Sequence, residues 1–317
     1  MAHLAYTFVY FPHGNHRGTS LTVCLLTGYL VPARQAKGHK QLSPKLELSI
    51  MLFTTPLLDK PAPGWKRDLT GPNESPSIEP YPPVLSNPPN HVDNVYFELA
   101  RATMRIRGVG AWLTPFMFVF SLVPPFAWIT LFITTGAVPS FVFHFFGLIA
   151  FIAPLWVGVF FWRMDTEAPR DEPIRFNRLR RKVYVYRFCH NGLKPFSRSA
   201  WGIRTEVYDW DDLRAEACSV YGPMGSGGLI ETVTLAVVKP GTHQVIDRFH
   251  FAHEIQQGEM YWAMAQLFMQ QGPQALPTFP RPPRDWNNEN VTFNLARRLA
   301  PKVRWPTEID LESRTAP

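Results

Sequence analysis

An uncharged stretch of 54 residues constrains this chain more than any other feature of its sequence. Residues 109–162 contain no Asp, Glu, Lys or Arg, and His144 is their one titratable side chain. A soluble domain usually carries about a quarter charged residues, spread along its length. One helical span needs roughly 20 residues to cross the hydrocarbon core of a bilayer. We therefore predict a membrane α-helical hairpin with transmembrane helices over about 109–134 and 141–162.

Basic side chains flank this block on both sides, whereas the link between the two predicted helices carries no charge. Those before it are Arg101, Arg105 and Arg107, and those after it include Arg163, Arg170, Arg175 and Arg178. Cytoplasmic segments next to membrane spans are enriched in Lys and Arg. We expect a two-span protein of the bacterial inner membrane with both its N- and C-terminal regions in the cytoplasm.

The part before the hairpin divides into three segments. Residues 1–53 form an N-terminal extension of uncertain character, and either Met1 or Met51 is the start of the chain. Residues 54–90 contain ten prolines, which remove backbone donors and interrupt helices and strands, so we predict a disordered linker. Residues 91–108 carry an apolar pattern at helical spacing and end in arginines, which predicts an amphipathic juxtamembrane helix.

Residues 163–272 have the alternating pattern of short strands, followed by one helix. The predicted strands are 174–177, 182–188, 201–208, 215–221, 230–238 and 243–251. Lys239-Pro240-Gly241-Thr242 has the proline and glycine positions of a type II turn, and Glu254–Gln271 has an apolar stripe at helical spacing. We predict a cytosolic α+β domain, an antiparallel β-sheet closed by a C-terminal helix. Residues 273–317 are predicted to be a Pro-rich tail with a short helix.

Three clusters contain chemically versatile side chains, and a structural role explains each of them better. Asp209–Asp212 has oxygens for a hard cation, but its carboxylates also suit a helix cap. His250–Glu254 has its glutamate in the wrong place for a zinc-protease motif. Cys189 and His190 are adjacent on a strand, so their side chains diverge. We predict no catalytic residue, no cofactor and no metal site.

The basic residues that follow the second span are the candidate contacts with the membrane surface. They are Arg163, Arg175, Arg178, Arg180, Arg181 and Lys182. Each Lys or Arg near an anionic leaflet contributes about 1 kcal/mol to the free energy of membrane binding. The alternative is that they only set the topology of the hairpin. The net charge of +7 is not concentrated in one region, so nucleic acid is not an expected partner.

The hairpin, the segment EPIRFNRLRRKVYVYRF (Glu172–Phe188) and the stretch from Trp201 to Glu216 resemble a family of uncharacterised proteobacterial inner-membrane proteins. Genes for that family often lie beside type VI secretion genes. The resemblance covers roughly residues 90–305 and carries no catalytic residues. It implies an accessory or immunity factor of a type VI secretion locus. The strand-rich, helix-closed domain also resembles bacterial pleckstrin-homology-like modules.

We therefore expect a non-enzymatic integral membrane protein whose cytosolic β-rich module binds a protein partner, with the lipid bilayer as its other partner. One alternative is a membrane-anchored enzyme that acts on a lipid or envelope substrate through Asp209–Asp212 and His250–Glu254. The other alternative is a module that binds lipid headgroups through the basic turn around Arg178–Lys182.

Overall fold

A computed structural model describes most of the chain after residue 54. The described residues are 55–80, 88–101, 107–136, 138, 140–222, 228–283, 287–288 and 292–317. The predictions for the N-terminal extension and for the start of the chain lie outside these residues.

The described residues form nine strands, six α-helices and two short 3₁₀ turns. The strands are β1 (Trp65–Asp68), β2 (His91–Val92), β3 (Tyr96–Leu99), β4 (Ile174–Asn177), β5 (Lys182–Cys189), β6 (Gly202–Asp209), β7 (Leu213–Tyr221), β8 (Leu229–Val238) and β9 (Val245–Ala252). The helices are α1 (Val109–Ser121), α2 (Val123–Thr135), α3 (Phe141–Thr166), α4 (Ile255–Gln271), α5 (Leu295–Leu299) and α6 (Thr307–Arg314).

The strands form two antiparallel sheets that share one core with α4. The five-stranded sheet has the order β2-β3-β4-β5-β6, and the four-stranded sheet has the order β1-β7-β8-β9. Large aromatic side chains from both sheets and from α4 fill the core, among them Phe97, Phe176, Trp210, Trp262 and Phe268. Each such side chain buries a large apolar area. The predicted antiparallel sheet with a closing helix is therefore present, but its strands are divided between two sheets.

The prediction of an amphipathic helix over 91–108 is wrong, because residues 91–99 form the strands β2 and β3. Phe97 and Leu99 point into the core, while Glu98 bonds Arg175 on the other face. This alternation has the two-residue period of a strand. The apolar residues at 95 and 99 satisfy both periods, so the pattern alone did not distinguish them. Residues 102–106 lie outside the described residues.

The segment predicted as a disordered linker over 54–90 is also ordered where the structure describes it. Strand β1 pairs with β7, and the amide of Ala62 donates to Glu216 Oε1 at 2.9 Å. On α4, the indole of Trp262 donates to the carbonyl of Thr70 at 2.8 Å. Side chains of the domain thus hold a segment whose prolines prevent long strands. The folded domain therefore begins well before the predicted boundary at residue 163.

The uncharged block forms a helical hairpin whose first helix is divided at Leu122. Pro124 and Pro125 lie in the first turn of α2. The N–H groups of a first turn form no hydrogen bond within the helix, so the N–H that proline lacks is not missed there. Two helical segments of the described chain, Val109–Thr135 and Phe141–Thr166, are long and apolar enough to cross a bilayer, with mean hydropathy of 2.1 each. The predicted pair of apolar helices is confirmed.

Small and polar groups hold the two arms of the hairpin together. Asp165 at the end of α3 accepts hydrogen bonds from the amides of Gly108 (3.1 Å) and Ala111 (2.8 Å) at the start of α1. Thr114 Oγ1 donates to the carbonyl of Gly158 at 3.0 Å. At Gly110 a Cβ atom would lie 2.7 Å from the carbonyl oxygen of Phe161, so only glycine permits this close approach.

The hairpin is inserted between two paired strands of the five-stranded sheet. Strand β3 ends at Leu99 and β4 begins at Ile174, and these two residues pair in the antiparallel ladder. Both arms of the hairpin therefore leave the domain at the same end of these two strands. The turn between β4 and β5 lies at the other end of these strands, about 10 Å further along at 3.4 Å for each residue.

Candidate functional site

A charged cleft lies on the outer face of the five-stranded sheet, where the C-terminal tail crosses it. Its volume is about 550 Å³. Helix α6 packs on β4 and β5 beside it. The charged side chains that line the cleft are Glu98, Asp171, Arg175, Arg304, Asp310 and Arg314. Strands β3 and β4 supply Glu98 and Arg175, and the tail supplies the last three.

Arg175 connects the sheet to the tail at the centre of this cleft. Its side chain is 4% exposed and forms ion pairs with Glu98 and, at 2.7 Å, with Asp310. It also donates to Ser313 Oγ at 2.8 Å, and its guanidinium lies 4.4 Å from the ring centre of Trp305. The planar fork of arginine suits this combination of carboxylates and an aromatic face. Arg175 thus fixes the wall that the tail contributes.

Asp171 is the titratable group of the cleft whose pKa departs most from its usual range. Its carboxylate accepts hydrogen bonds from the amide of Arg101 (3.1 Å) and from Asn90 Nδ2 (3.3 Å). Burial of the side chain raises its pKa to about 7, against the opposing effect of the Asn90 hydrogen bond. The carboxyl of Asp171 therefore changes charge near neutral pH, and such groups concentrate at functional sites.

Arg101 lies behind Asp171 and is itself buried. Its guanidinium donates to the backbone carbonyls of Glu172 (2.9 Å) and Tyr186 (3.0 Å), and also to the carbonyl of His250. Burial lowers the pKa of Arg101, and the nearby carboxylates of Glu172 and Asp171 oppose that effect. This arginine joins the two sheets below the floor of the cleft.

The cleft suits a polar, charged ligand better than an apolar one. Its volume falls in the range of ordinary ligand sites, but such sites are usually lined by apolar side chains. Here both signs of charge occur on the lining. In the described part of the chain, no group of three or more His, Cys, Asp or Glu side chains is arranged to hold a metal ion. Ion pairing and hydrogen bonding are what these side chains offer a partner.

The basic residues predicted to contact the membrane surface are engaged within the protein. Arg180 donates to the carbonyl of Thr315 at 3.0 Å, Arg181 pairs with Asp211, and Lys182 pairs with Glu312 at 3.0 Å. For Arg178 the contact is made by the backbone, whose amide donates to the carbonyl of Val95 at 3.0 Å. The turn that carries them lies at the end of β4 and β5 remote from the hairpin, so the geometry does not favour lipid contact there.

Arg163 is the one member of that predicted set located on the hairpin itself. It pairs with Glu167 at 2.7 Å and donates to the carbonyl of Ser197 at 2.8 Å. Arg175, the remaining member, lies in the charged cleft. The structure therefore divides the six predicted residues among three places: the end of α3, the cleft and the remote turn.

The structure does not bring the clusters Asp209–Asp212 and His250–Glu254 together. Leu213, next to the first cluster, pairs with Val237 of β8, whereas Ala252 pairs with Val233. These positions are about 13 Å apart along β8. Asp211 is bonded to Arg181, which lowers its pKa, and burial lowers the pKa of His250 well below its usual value.

Cys189 shows no activation as a nucleophile. Burial raises the pKa of its thiol, which favours the protonated and less reactive form.

Sequence reasoning missed Glu98, Asp171 and Trp305 as members of one site. They come from segments that are distant along the chain, and no local spacing connects them. The one available signal was the run Asp171-Glu172-Pro173 directly before a strand.

The comparison with protein families gives one match within the region just described. Residues 151–317, more than half of the chain, match the profile of a family of unknown function (DUF6708). The match begins within α3 and includes β4 to β9 and the tail that forms the cleft. No curated protein and no solved structure matches the chain.

Proposed function

We propose that this chain, which belongs to the family of unknown function DUF6708, is a non-enzymatic integral membrane protein that presents a two-sheet binding domain on one side of the bilayer. Exposed apolar side chains on the hairpin are the observation that carries this proposal. Phe126 is 71% exposed and Phe141 is 83% exposed. A helix from the core of a soluble domain would bury such side chains, whereas a bilayer covers them.

The pairing of β3 with β4 supports a hairpin whose two flanks are on the same side. If the hairpin crosses the membrane, both flanks must lie together, because they form adjacent strands of one sheet. Basic residues at both flanks, including Arg107 and Arg163, favour the cytoplasmic side. We propose the bacterial inner membrane as the location and the cytoplasm as the side that holds the domain.

The charged cleft is the surface through which we propose that the domain binds a protein partner. Its mixed charges suit a polar segment of a partner, and Asp171 makes the charge of the cleft sensitive to pH near neutrality. The resemblance to proteins encoded beside type VI secretion genes supports a role as an accessory or immunity factor of such a locus. Two sheets closed by α4 support the likeness to pleckstrin-homology-like modules.

The enzyme alternative requires Asp209–Asp212 and His250–Glu254 to meet in one cleft, because catalytic groups must contact the same substrate. Their separation of about 13 Å along β8 gives that alternative no support. A binding role does not require these two clusters to lie close together.

Binding by the full chain, purified in detergent, tests the proposal. The full chain is needed because β1, β2 and β3 precede the hairpin. The chain should capture a protein encoded by an adjacent gene, and Arg304→Glu in the cleft should abolish the capture. Lys66→Glu is the matched control, because Lys66 is an exposed basic residue on β1 of the other sheet. Equal capture by both variants, or no capture by the parent chain, would contradict the proposal.

A further inference from the structure

The connection between β5 and β6 extends along α3, close to the predicted membrane boundary. We define this connection, residues 190–201, as the α3 loop. Strand β5 runs antiparallel to β4, so the loop that follows β5 lies at the end of the sheet from which the hairpin leaves. The remote turn around Arg178–Lys182 lies at the other end.

Specific contacts hold the α3 loop on the helix. Trp156 Nε1 donates to the carbonyl of Gly192 at 3.3 Å, and its ring lies 6.1 Å from the ring of Phe196 in an edge-to-face arrangement. One turn beyond, Phe160 packs edge-to-face on Trp201 at 5.9 Å. The guanidinium of Arg163 lies 4.5 Å from the ring centre of Trp201. The loop is therefore fixed to α3 from Trp156 to Arg163.

The loop is also fixed internally. Trp201 Nε1 donates to the carbonyl of Lys194 at 3.0 Å, and the amide of Ser197 donates to the same carbonyl at 3.1 Å. These bonds hold the middle of the loop in tight turns and fix the backbone that carries its outward side chains.

The contact with Trp156 sets the depth of the loop. Arg163 is the first charged residue after the uncharged block, and Trp156 precedes it by seven residues. At a rise of 1.5 Å for each residue, Trp156 lies about 10 Å further into the apolar part of α3 than Arg163. A loop bonded at both levels covers the depth at which interfacial segments enter a leaflet, about 5–10 Å.

The outward side chains of the loop have the chemistry of a membrane interface. Leu193 is 66% exposed and Phe196 is 63% exposed, while Lys194 and Arg198 beside them are exposed as well. Leucine and phenylalanine enter the boundary between headgroups and acyl chains, and long basic side chains extend to the headgroups. The neighbouring Trp156 and Trp162 belong to the residue type that is enriched at this depth.

We propose that the α3 loop is a third membrane contact of this protein, which inserts Leu193 and Phe196 into the cytoplasmic leaflet and places Lys194 and Arg198 among anionic headgroups. The inference rests on the proposed membrane hairpin. It assigns the lipid-facing surface of the domain to this loop and not to the basic turn. Bonded to α3, the loop would fix the orientation of the domain on the membrane surface.

An environment-sensitive fluorophore on single cysteines tests this proposal in the full chain, reconstituted in vesicles that contain anionic lipid. Cys24, Cys189 and Cys218 are first replaced by alanine. The labelled variants are Phe196→Cys in the loop, Leu179→Cys in the remote turn and Phe126→Cys in the hairpin. We expect a blue-shifted emission at 196 that is quenched by a doxyl group near the head of the acyl chain. At 179 we expect quenching by aqueous iodide.

The label at 126 distinguishes failure of the loop proposal from failure of the hairpin. Iodide quenching at 196 equal to that at 179, with 126 protected, would overturn the loop proposal and leave the hairpin intact. Iodide quenching at 126 would overturn both. A chain that keeps its cysteines and carries benzoylphenylalanine at 196 gives a second readout, since it should crosslink to lipid on illumination. Absence of that crosslink, with a lipid crosslink from position 126, would also overturn the loop proposal.

Discussion

The hairpin and the two-sheet domain use the same apolar residue types in opposite ways. Phe126 in α2 is largely exposed, whereas Phe268 in α4 has no exposed surface. In the domain, apolar side chains from two sheets and one helix cover one another, as burial away from water requires. In the hairpin many of them, including Phe126 and Phe141, point outward and stay exposed. The difference supports the proposal that lipid is the solvent of the hairpin and water that of the domain.

Truncating one phenylalanine in each region should give the largest contrast. Phe268→Ala removes a buried ring and leaves a cavity, so it should lower the free energy of unfolding of the domain by about 3–5 kcal/mol. Phe126→Ala should change that quantity little, because its ring contributes nothing to the core. Urea unfolding of both variants in detergent, followed by circular dichroism, measures the effect. A similar loss in both variants would mean that the hairpin is packed as part of the domain.

A charge placed in the middle of the first arm should impair membrane integration. Phe120→Arg places an arginine near the centre of the span, where insertion costs about 2.5–3.5 kcal/mol. The fraction of the protein that resists extraction by alkaline carbonate should fall. Leu311→Arg is the control, since Leu311 is also largely exposed (67%, against 59% for Phe120) but lies on α6 of the domain. An unchanged membrane fraction in Phe120→Arg would contradict the assignment of lipid as the solvent of α1 and α2.

The domain, unlike the hairpin, should respond to pH through Asp171. Because the pKa of Asp171 is raised to about 7 in the folded protein, the folded state binds its proton more tightly than the unfolded state does. The stability contribution of the protonated form is present at low pH and is lost as the pH rises toward 7. The loss is on the order of 4 kcal/mol.

Asp171→Asn should remove this decline. Unfolding free energies measured between pH 4 and pH 8, on the parent and the variant, check the prediction. Glu308→Gln, at an exposed carboxyl in the first turn of α6, should leave the decline in place. A parallel pH profile in the parent and in Asp171→Asn would show that Asp171 is not the responsible group.

The smallest expected effect lies at the remote turn. Lys182 and Glu312 form a pair whose side chains are more than one-third exposed, and such pairs contribute about 0.2–1 kcal/mol. A double-mutant cycle with Lys182→Ala and Glu312→Ala should give a coupling energy in that range. The coupling should weaken in high salt, because solvent ions screen exposed charges. A coupling of several kcal/mol would mean that this turn is a structural centre of the domain.

Local sequence patterns predicted the elements that local physics decides. The uncharged block predicted the two apolar helices, and the alternation after Ile174 predicted β4 and β5 within one residue of their observed ends. The turn Lys239–Thr242 forms as predicted, with Gly241 at a φ of 70° and a hydrogen bond of 3.0 Å from the amide of Thr242 to Lys239.

Long-range pairing decided what the sequence did not predict. The apolar spacing of residues 95–99 fits both a helix and a strand, and only pairing with β4 selects the strand. Segment 55–80 is ordered by bonds to Glu216 and to α4, more than 130 residues away along the chain. The charged cleft exists because Arg175 binds the C-terminal tail, and no short motif encodes that contact.

Labelling from the two sides of the membrane tests the central claim most directly, namely that the hairpin crosses the bilayer while both flanks form one domain on the same side. In a chain without native cysteines, Val138→Cys lies in the link between α2 and α3, and Leu311→Cys lies on the domain. A membrane-impermeant maleimide added to intact spheroplasts should label position 138 at once and position 311 only after permeabilisation. Equal labelling of both positions before permeabilisation, or recovery of the protein in the soluble fraction without detergent, would contradict the account.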